Sequence, residues 1–482
     1  MRKAKIVCTV GPASDSPDIL DRLIDCGMDA ARLNFSHGTR ESHAAAIATI
    51  RHAAKRRDAA VAIIQDLQGP RIRVGLLPDG GIEVRAGQSV RLLSMATEVE
   101  GRFGAQAVAG STTVIPVAYP HLARDLQPGA RILINDGLIE LVADRITGSH
   151  IECTVLNGGR VGSHKGVNLP GTLVSAPTLT DKDREDIRFG IEQGVDYIAL
   201  SFVRGPHDIE AARRVVAECG GRSSIIAKIE RAEAVATLDA ILEQADGVMI
   251  ARGDLGVELG PESVPLLQKR IIAEANRRRR LVITATQMLE SMTKALRPTR
   301  AEASDVANAV FDDTDAVMLS AETAIGEHPL EAVQVMDRII RAAEEGTEPG
   351  VVRKRQADLG ELSFPEAICT AAASAAKAVS ARAIVAFSEL GSTARLISKQ
   401  RPAAPIIAFT PFEAVRRKMA LYWGVRPYTM PQLEQTDTRV GEAERRLRAE
   451  GLVKSGQKIV ILSGTTVGQP GGTNLIKLHE VG

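Results

Sequence analysis

The sequence predicts an α/β protein: a closed (β/α)8 barrel, interrupted by a small inserted all-β lid domain and followed by a C-terminal open-sheet α/β domain. Three observations carry this. Short apolar runs rich in β-branched residues alternate with amphipathic helical stretches on both sides of an interruption, giving about eight βα units. From about residue 71 to 169 the pattern changes to short period-two segments between glycine-rich turns. A third region resumes the alternation after a linker-like stretch. The expected division is 1–70 and 170–346 for the barrel, 71–169 for the lid and 347–482 for the C-terminal domain.

The elements follow in order. Lys5–Val10 reads as a strand stopped by Gly11-Pro12, Asp18–Cys26 as a helix stopped by Gly27, and Ala30–Phe35 as a second strand. A long helix over Glu41–Arg57 and a strand over Ala59–Leu67 complete a β-α-β-α-β opening, the mark of a parallel sheet. Ile82–Val84, Ser89–Leu93, Arg131–Ile134, Leu138–Val142 and Ile151–Leu156 are the short segments of the insertion. Strands are then expected over Tyr197–Phe202, Ser224–Ile229, Gly247–Arg252, Leu281–Thr286 and Ala316–Ser320. The helices between and after them are Lys182–Gln193, His207–Glu218, Ala232–Gln244, Glu262–Arg280, Arg300–Phe311 and Pro329–Glu345. Residues 346–360 read as a linker. An Ala-rich helix from Phe364 opens the last domain, with strands at Ala383–Phe387, Ile406–Thr410, Arg426–Met430 and Lys458–Ser463.

Composition excludes several function classes. At 482 residues the chain exceeds one ordinary core, and 44% hydrophobic residues rule out a disordered chain. Aromatics at 3% argue against stacking platforms for single-stranded nucleic acid, and a net charge of +1 gives no field for DNA, RNA or membrane. The run Arg277–Arg280 closes a helix, where cations complement the dipole, and reads as a solvated helix end. The five cysteines are scattered and read as buried thiols of a reducing compartment. With no apolar run near 18 residues and no signal-peptide pattern, the expected location is cytoplasmic.

Polar residues gather at the C-terminal ends of the expected barrel strands, the functional rim of this architecture. Arg32–Gly38 (RLNFSHG) ends the second and Asp66 the third. Ser201 and Arg204 follow the fourth, Lys228 and Glu230 the fifth, and Arg252, Gly253 and Asp254 the sixth. Thr284 and Thr286 end the seventh, Ser320 and Glu322 the eighth. Strand periodicity puts Lys228 and Glu230 on one face. By themselves these residues also fit a structural ion pair, but a whole ring of charges is expensive to bury as structure. Glu230 and Asp254 suit a hard divalent cation such as Mg2+ or Mn2+. Arg32, Arg73, Lys165 and Lys228 suit phosphoryl oxygens, and N–H groups of Arg252–Gly256 suit a carboxylate. His37 reads as a polar support or phosphate contact. The pattern fits metal-assisted phosphoryl transfer.

On its motifs the chain resembles the pyruvate kinase family almost end to end. They are Lys5–Ser14 (KIVCTVGPAS), Arg32–Gly38, Gly166–Gly171 (GVNLPG), Ala227–Glu230 (AKIE), Ala251–Gly256 (ARGDLG), Ala285–Met292 (ATQMLESM) and Arg297–Glu302 (RPTRAE). The resemblance implies a TIM barrel, a β lid and a regulatory domain, usually in a homotetramer. It implies transfer of phosphate from phosphoenolpyruvate to ADP, giving pyruvate and ATP, with Mg2+ or Mn2+. Carried over by motif, Glu230 and Asp254 are metal ligands, Lys228 neutralises the moving phosphoryl group, and Thr286 positions the proton donor. Arg32, Arg73, Asn34 and His37 serve the phosphates and nucleotide. Gly253 and Asp254 N–H groups hold the substrate carboxylate, with Ser201 beside the substrate, and Lys165 and Asp136 close from the lid.

One stretch departs from most of the family. Members needing K+ carry Thr-Lys after the strand-three Asp and Glu after Gly-Pro; here Asp66–Arg73 reads DLQGPRIR. Leu67 and Arg71 resemble the K+-independent branch, with Asn34, Ser36 and Asp66 as the rest of the site. The alternative is that Arg71 makes only a surface salt bridge. Ser388–Thr393 (SELGST) resembles the effector phosphate loop, so Ser388, Gly391, Ser392 and Thr393 are candidate contacts for a sugar monophosphate or nucleotide monophosphate, covered by 464–473. Leu390 and Glu389 depart from that pattern. The rival readings are a metal-dependent aldolase or lyase on pyruvate-like enolates and a catalytically silent binding protein.

Overall fold

The computed structural model describes residues 2–95, 113–346, 361–433, 435–464 and 472–482. Of the expected linker at 346–360, Gly346 closes the helix Pro329–Gly346 and the rest lies outside them, as does most of the loop at 464–473. In chain order the strands are β1 (Lys5–Thr9), β2 (Ala30–Asn34) and β3 (Ala62–Asp66). Next come β4 (Gly81–Val84), β5 (Ser89–Ser94), β6 (Thr113–Val117), β7 (Arg131–Ile134), β8 (Ile139–Thr147), β9 (His150–Asn157), β10 (Gly159–Gly162) and β11 (Val167–Asn168). Then follow β12 (Tyr197–Leu200), β13 (Ser224–Ile229), β14 (Gly247–Ala251), β15 (Leu281–Ala285) and β16 (Ala316–Leu319). The last are β17 (Ala383–Phe387), β18 (Ile406–Thr410), β19 (Val425–Thr429), β20 (Lys458–Gly464) and β21 (Thr473–Glu480).

Strands β1–β3 and β12–β16 close a parallel barrel in the order β1-β16-β15-β14-β13-β12-β3-β2. Its interior is filled by alternate residues, among them Val7, Ala30, Ile64, Ala199, Ile226, Met249, Ile283 and Met318. The opposite faces join a larger shell with the surrounding helices. Each strand therefore carries two apolar rows, which is why the strands read as continuous apolar runs. The insertion forms a six-stranded sheet, β11-β7-β8-β9-β5-β6, and a two-stranded one, β10-β4. The larger sheet is mixed, because β5 and β6 pair in parallel, and it carries one helical turn at Leu122–Asp125.

The C-terminal sheet, β19-β18-β17-β20-β21, is parallel except for β21, an edge strand absent from the sequence expectation. Two helices also differ from it. The helix expected over Ala232–Gln244 breaks at Thr237 into Ala232–Ala236 and Leu238–Gln244. The sixth strand ends at Ala251, and a helix, Arg252–Leu259, starts at once. The arginine run is less solvated than expected. Arg277 and Arg278 pair with Glu274, Arg279 with Glu366 of the C-terminal domain, and Arg280 donates to the Leu242 and Glu243 carbonyls.

The N-terminal end of the barrel is organised by four aspartates. Asp29, Asp196, Asp246 and Asp315 each stand one residue before an even-numbered strand of the barrel's own sequence of eight. Each carboxylate accepts the N–H of a residue in the preceding barrel strand: Ile6, Ile63, Ile225 and Val282, at 2.8–2.9 Å. The C-terminal domain docks on this floor. Its Arg417 pairs with Asp196 at 3.0 Å, and its Lys399 and Arg401 pair with Asp315 at 2.5 and 2.9 Å. Leu421 enters the apolar interior of the barrel, and the Tyr197 hydroxyl donates to the Lys418 carbonyl at 2.8 Å.

Candidate active site

The inward rows of the barrel turn polar at its C-terminal end. Val7 is followed two residues on by Thr9, Ala30 by Arg32 and Asn34, and Ile64 by Asp66. Ala199 is followed by Ser201, and Ile226 by Lys228 and Glu230. Period two thus lifts a set of charged groups directly above an apolar plug.

Asp66, 1% exposed, is the hub. One carboxylate oxygen accepts Arg32 Nε at 2.6 Å; the other lies 3.3 Å from Lys228 Nζ. Arg32 Nη1 also donates to the Thr9 hydroxyl at 3.1 Å. Lys228 Nζ donates to Ser201 Oγ at 2.7 Å and lies 3.5 Å from Glu230 Oε2. Ser201 Oγ donates to the Leu67 carbonyl at 2.7 Å. Burial pulls the Lys228 pKa down, but Asp66 and then Glu230 outweigh it, so the ammonium is held above its ordinary value. Burial likewise opposes ionisation of Asp66, yet Lys228 and Arg32 prevail and its pKa is lowered. Glu230 goes the other way: burial raises it, Lys228 offsets part of this, and Asp254 raises it further.

Glu230 holds the Phe202 N–H with Oε1 at 2.6 Å, while its buried Oε2 has no hydrogen-bond donor. An unsatisfied buried carboxylate oxygen costs about 1–3 kcal/mol or more. Asp254, at the start of the Arg252–Leu259 helix, is the neighbouring carboxylate. Two cations (Arg32, Lys228) face three carboxylates (Asp66, Glu230, Asp254), leaving the cluster one charge negative. This donor set fits a hard divalent cation held by two carboxylates and water. Among the described residues no group of three or more His, Cys, Asp or Glu is placed to hold a metal ion by itself.

Above the cluster, barrel and lid enclose a cleft of about 230 Å3 whose walls include Arg71, Arg73, Asp136, Lys165 and Asp254. Arg73 Nη1 lies 3.4 Å from the His164 carbonyl, and residue 73 bridges to Gly166. The exposed Arg71 makes no salt bridge among the described residues. His37 is exposed. Partial desolvation, then the charges of Arg71, Arg73 and Arg32, lower its pKa from the usual imidazole value. Asn34 Oδ1 accepts the Ser36 N–H at 3.2 Å, and Leu67 is buried. Thr286 follows β15 with φ 73°, and a Cβ on Gly253 would stand 2.9 Å from its methyl.

The remaining candidates lie apart. Ser388 Oγ accepts the Thr393 N–H at 3.2 Å, Thr393 and Thr473 hydroxyls meet at 2.6 Å, and Gly391 caps the helix Ser392–Lys399 in a left-handed conformation. Ser388, Ser392, Thr393 and Thr473 border a separate pocket in the C-terminal domain that also includes Arg439. Of the main cleft, one residue went unread in the sequence and another was given no role. Arg231 is buried beside it, directly after Glu230, paired with Glu233 at 3.2 Å. Arg204, noted only as a rim residue, ties the strap at 174–178 to the barrel through the carbonyls of Val174 and Ala176.

Comparison with known proteins agrees with this arrangement. A family model described as pyruvate kinase, barrel domain, matches residues 1–333; one described as pyruvate kinase, alpha/beta domain, matches 366–479. Pyruvate kinases of Staphylococcus aureus strains MRSA252 and USA300 are 46% identical over 484 residues, covering 100% of this chain and 81% of theirs. A crystal structure of a pyruvate kinase from Cryptosporidium parvum superposes with a TM-score of 0.92 at 39% identity, covering 100% of this chain and 96% of that one. With both domains matched over nearly all their length, the chain belongs to the pyruvate kinase family.

Proposed function

We propose that this phosphotransferase moves the phosphoryl group of phosphoenolpyruvate to ADP, yielding pyruvate and ATP, the last step of glycolysis. The enol P–O bond breaks, a new P–O bond forms to the terminal ADP oxygen, and the released enolate takes a proton at its methylene carbon. The observation that carries the reading is Lys228: a buried ammonium kept charged at the end of an inward row, beside a carboxylate oxygen that lacks a donor.

Glu230 and Asp254 would hold Mg2+ or Mn2+, which when bound supplies positive charge to phosphoryl oxygens. Lys228 and Arg32 neutralise the group in transit, with Ser201 beside the substrate. N–H groups of Gly253 and Asp254 hold the substrate carboxylate at a helix N-terminus. Thr286 positions the proton donor. Arg73, Asn34 and His37 serve the nucleotide phosphates. Residues 71–169 act as a lid that brings Lys165 and Asp136 over the cleft and excludes water, a competing phosphoryl acceptor.

Three further readings belong here. The enzyme works without K+, the Arg71 guanidinium standing in for it beside Asn34, Ser36, Asp66 and Leu67. Residues 347–482 are regulatory, with Ser388, Gly391, Ser392 and Thr393 at the effector phosphate. The working form is a cytoplasmic homotetramer; among the described residues no helix is long and apolar enough to cross a membrane. A coupled assay for pyruvate from phosphoenolpyruvate tests the main reading: product is expected only with both ADP and divalent metal. Pyruvate formed equally well without ADP would sink it.

A further inference from the structure

The turn after β15 is strained. Thr286 and Gln287 are consecutive non-glycine residues in the left-handed region, with φ 73° and 54°. For a β-branched residue this is an outlier, which persists only where the surroundings over-determine it. The turn also touches the start of the Arg252–Leu259 helix, since a Cβ on Gly253 would stand 2.9 Å from Thr286 Cγ2. The helix N-terminus and Thr286 therefore form one surface with no side chain between them, and something must fix both.

Arg252 is placed to do so. It is 9% exposed and lies in the joint between the two segments. Its Nε donates to the carbonyls of Ala285 and Thr286 at 3.1 and 3.2 Å, and Nη2 donates to the Thr286 carbonyl at 2.7 Å. The far edge of the guanidinium forms a bidentate pair with Asp305, both contacts at 2.7 Å, and Nη1 reaches Gln268 Oε1 at 3.2 Å. Asp305 and Gln268 sit on the helices Arg300–Phe311 and Val264–Arg277, packed outside the barrel. The planar fork thus joins the outer helices to the strained turn. A lysine ammonium could serve one edge or the other, but not both.

We propose that Arg252 is a positioning residue: it acts through Thr286, holding that turn in register with the Gly253–Asp254 N-terminus at the proton-transfer end of the site. This rests on the reading of Thr286 given above. The test is a double-mutant cycle on the full-length enzyme, using Arg252→Ala, Thr286→Ala and the double variant. It is read by kcat, by KM for phosphoenolpyruvate, and by exchange of pyruvate methyl protons into D2O.

Arg252→Ala is expected to lower kcat and the exchange rate on the order of 10²-fold, the scale of a misplaced reacting group. Adding it to Thr286→Ala changes neither rate by more than about twofold, because the partner it acts through is already gone. Arg252→Lys restores little, whereas added guanidinium ion restores activity to Arg252→Ala. Losses that multiply in the double variant, or full activity in Arg252→Lys, overturn the role. Should Arg252→Ala not fold, Asp305→Asn carries the same cycle, because it frees one edge of the fork and keeps its charge. Wild-type turnover is the control: its absence overturns the reading of the site, while multiplicative losses in an active enzyme overturn only Arg252.

Discussion

At the scale of single residues, the site depends on which neighbour outweighs burial. Lys228 stays charged because two carboxylates face it; Glu230 resists ionisation because Asp254 adds to the effect of burial. His37 shows the same arithmetic at the cleft mouth, where desolvation and three guanidinium groups disfavour its cation. In an NMR titration of the free enzyme, its midpoint is therefore expected below the ordinary imidazole value of 6.5 and should rise in Arg71→Leu. The sign for stability follows: with the folded pKa lowered, the unfolded chain binds more protons just below pH 6.5, so His37 favours folding increasingly as pH rises through that window. A midpoint unmoved by Arg71→Leu would place that guanidinium too far away to matter. Arg71 also carries the K+ prediction. Both Asp66 oxygens already face cations, Arg32 and Lys228, and Arg71 stands on the wall of the cleft above them. Activity with Mg2+ in buffer free of Na+ and K+ is expected to be unchanged on adding K+; a large rise contradicts it.

At the scale of elements, the barrel strands were legible because their two apolar rows leave no ambiguity, and the rim was legible because charges end those rows. The helix Arg252–Leu259 was not. Its sequence, RGDLGVEL, carries two glycines and reads as a loop; Leu255, buried, and the Arg252 fork hold it in place. Strand β21 was missed because its side chains are mostly exposed or half-buried, so its alternation is weak and its pairing with β20 supplies the order. The four floor aspartates were a readable signal that went unread: MDAA, VDYI, ADGV and TDAV stand at the starts of β2, β12, β14 and β16. Their common role needs the register between strands. Arg231 and Arg204 went unassigned for a similar reason: Arg204 bonds the carbonyls of Val174 and Ala176, and besides Glu233 Arg231 reaches the Thr172 carbonyl and Glu258, all distant in sequence.

At the scale of the whole molecule, the floor joins the domains. Lys399 and Arg401 are buried against Asp315, and burial lowers the Lys399 pKa to about 8 despite that partner. Asp315→Asn can keep the bond from the Val282 N–H but takes the facing carboxylate from two buried cations, Lys399 and Arg401. It should cost about 3–5 kcal/mol, read by chemical denaturation of the full chain, with the loss concentrated where the C-terminal domain separates from the barrel. Unchanged denaturation would mean that Leu421 and the surrounding apolar contacts do the docking alone. The C-terminal domain, which carries its own pocket, thus docks at the end of the barrel opposite the cleft. The central claim still rests on Lys228. The most direct measurement compares Lys228→Met with wild type for pyruvate formation and for Mn2+ binding. Turnover should fall on the order of 10³-fold, as for loss of a group that stabilises transition-state charge, with Mn2+ affinity little changed. Near-normal turnover in Lys228→Met would contradict the account.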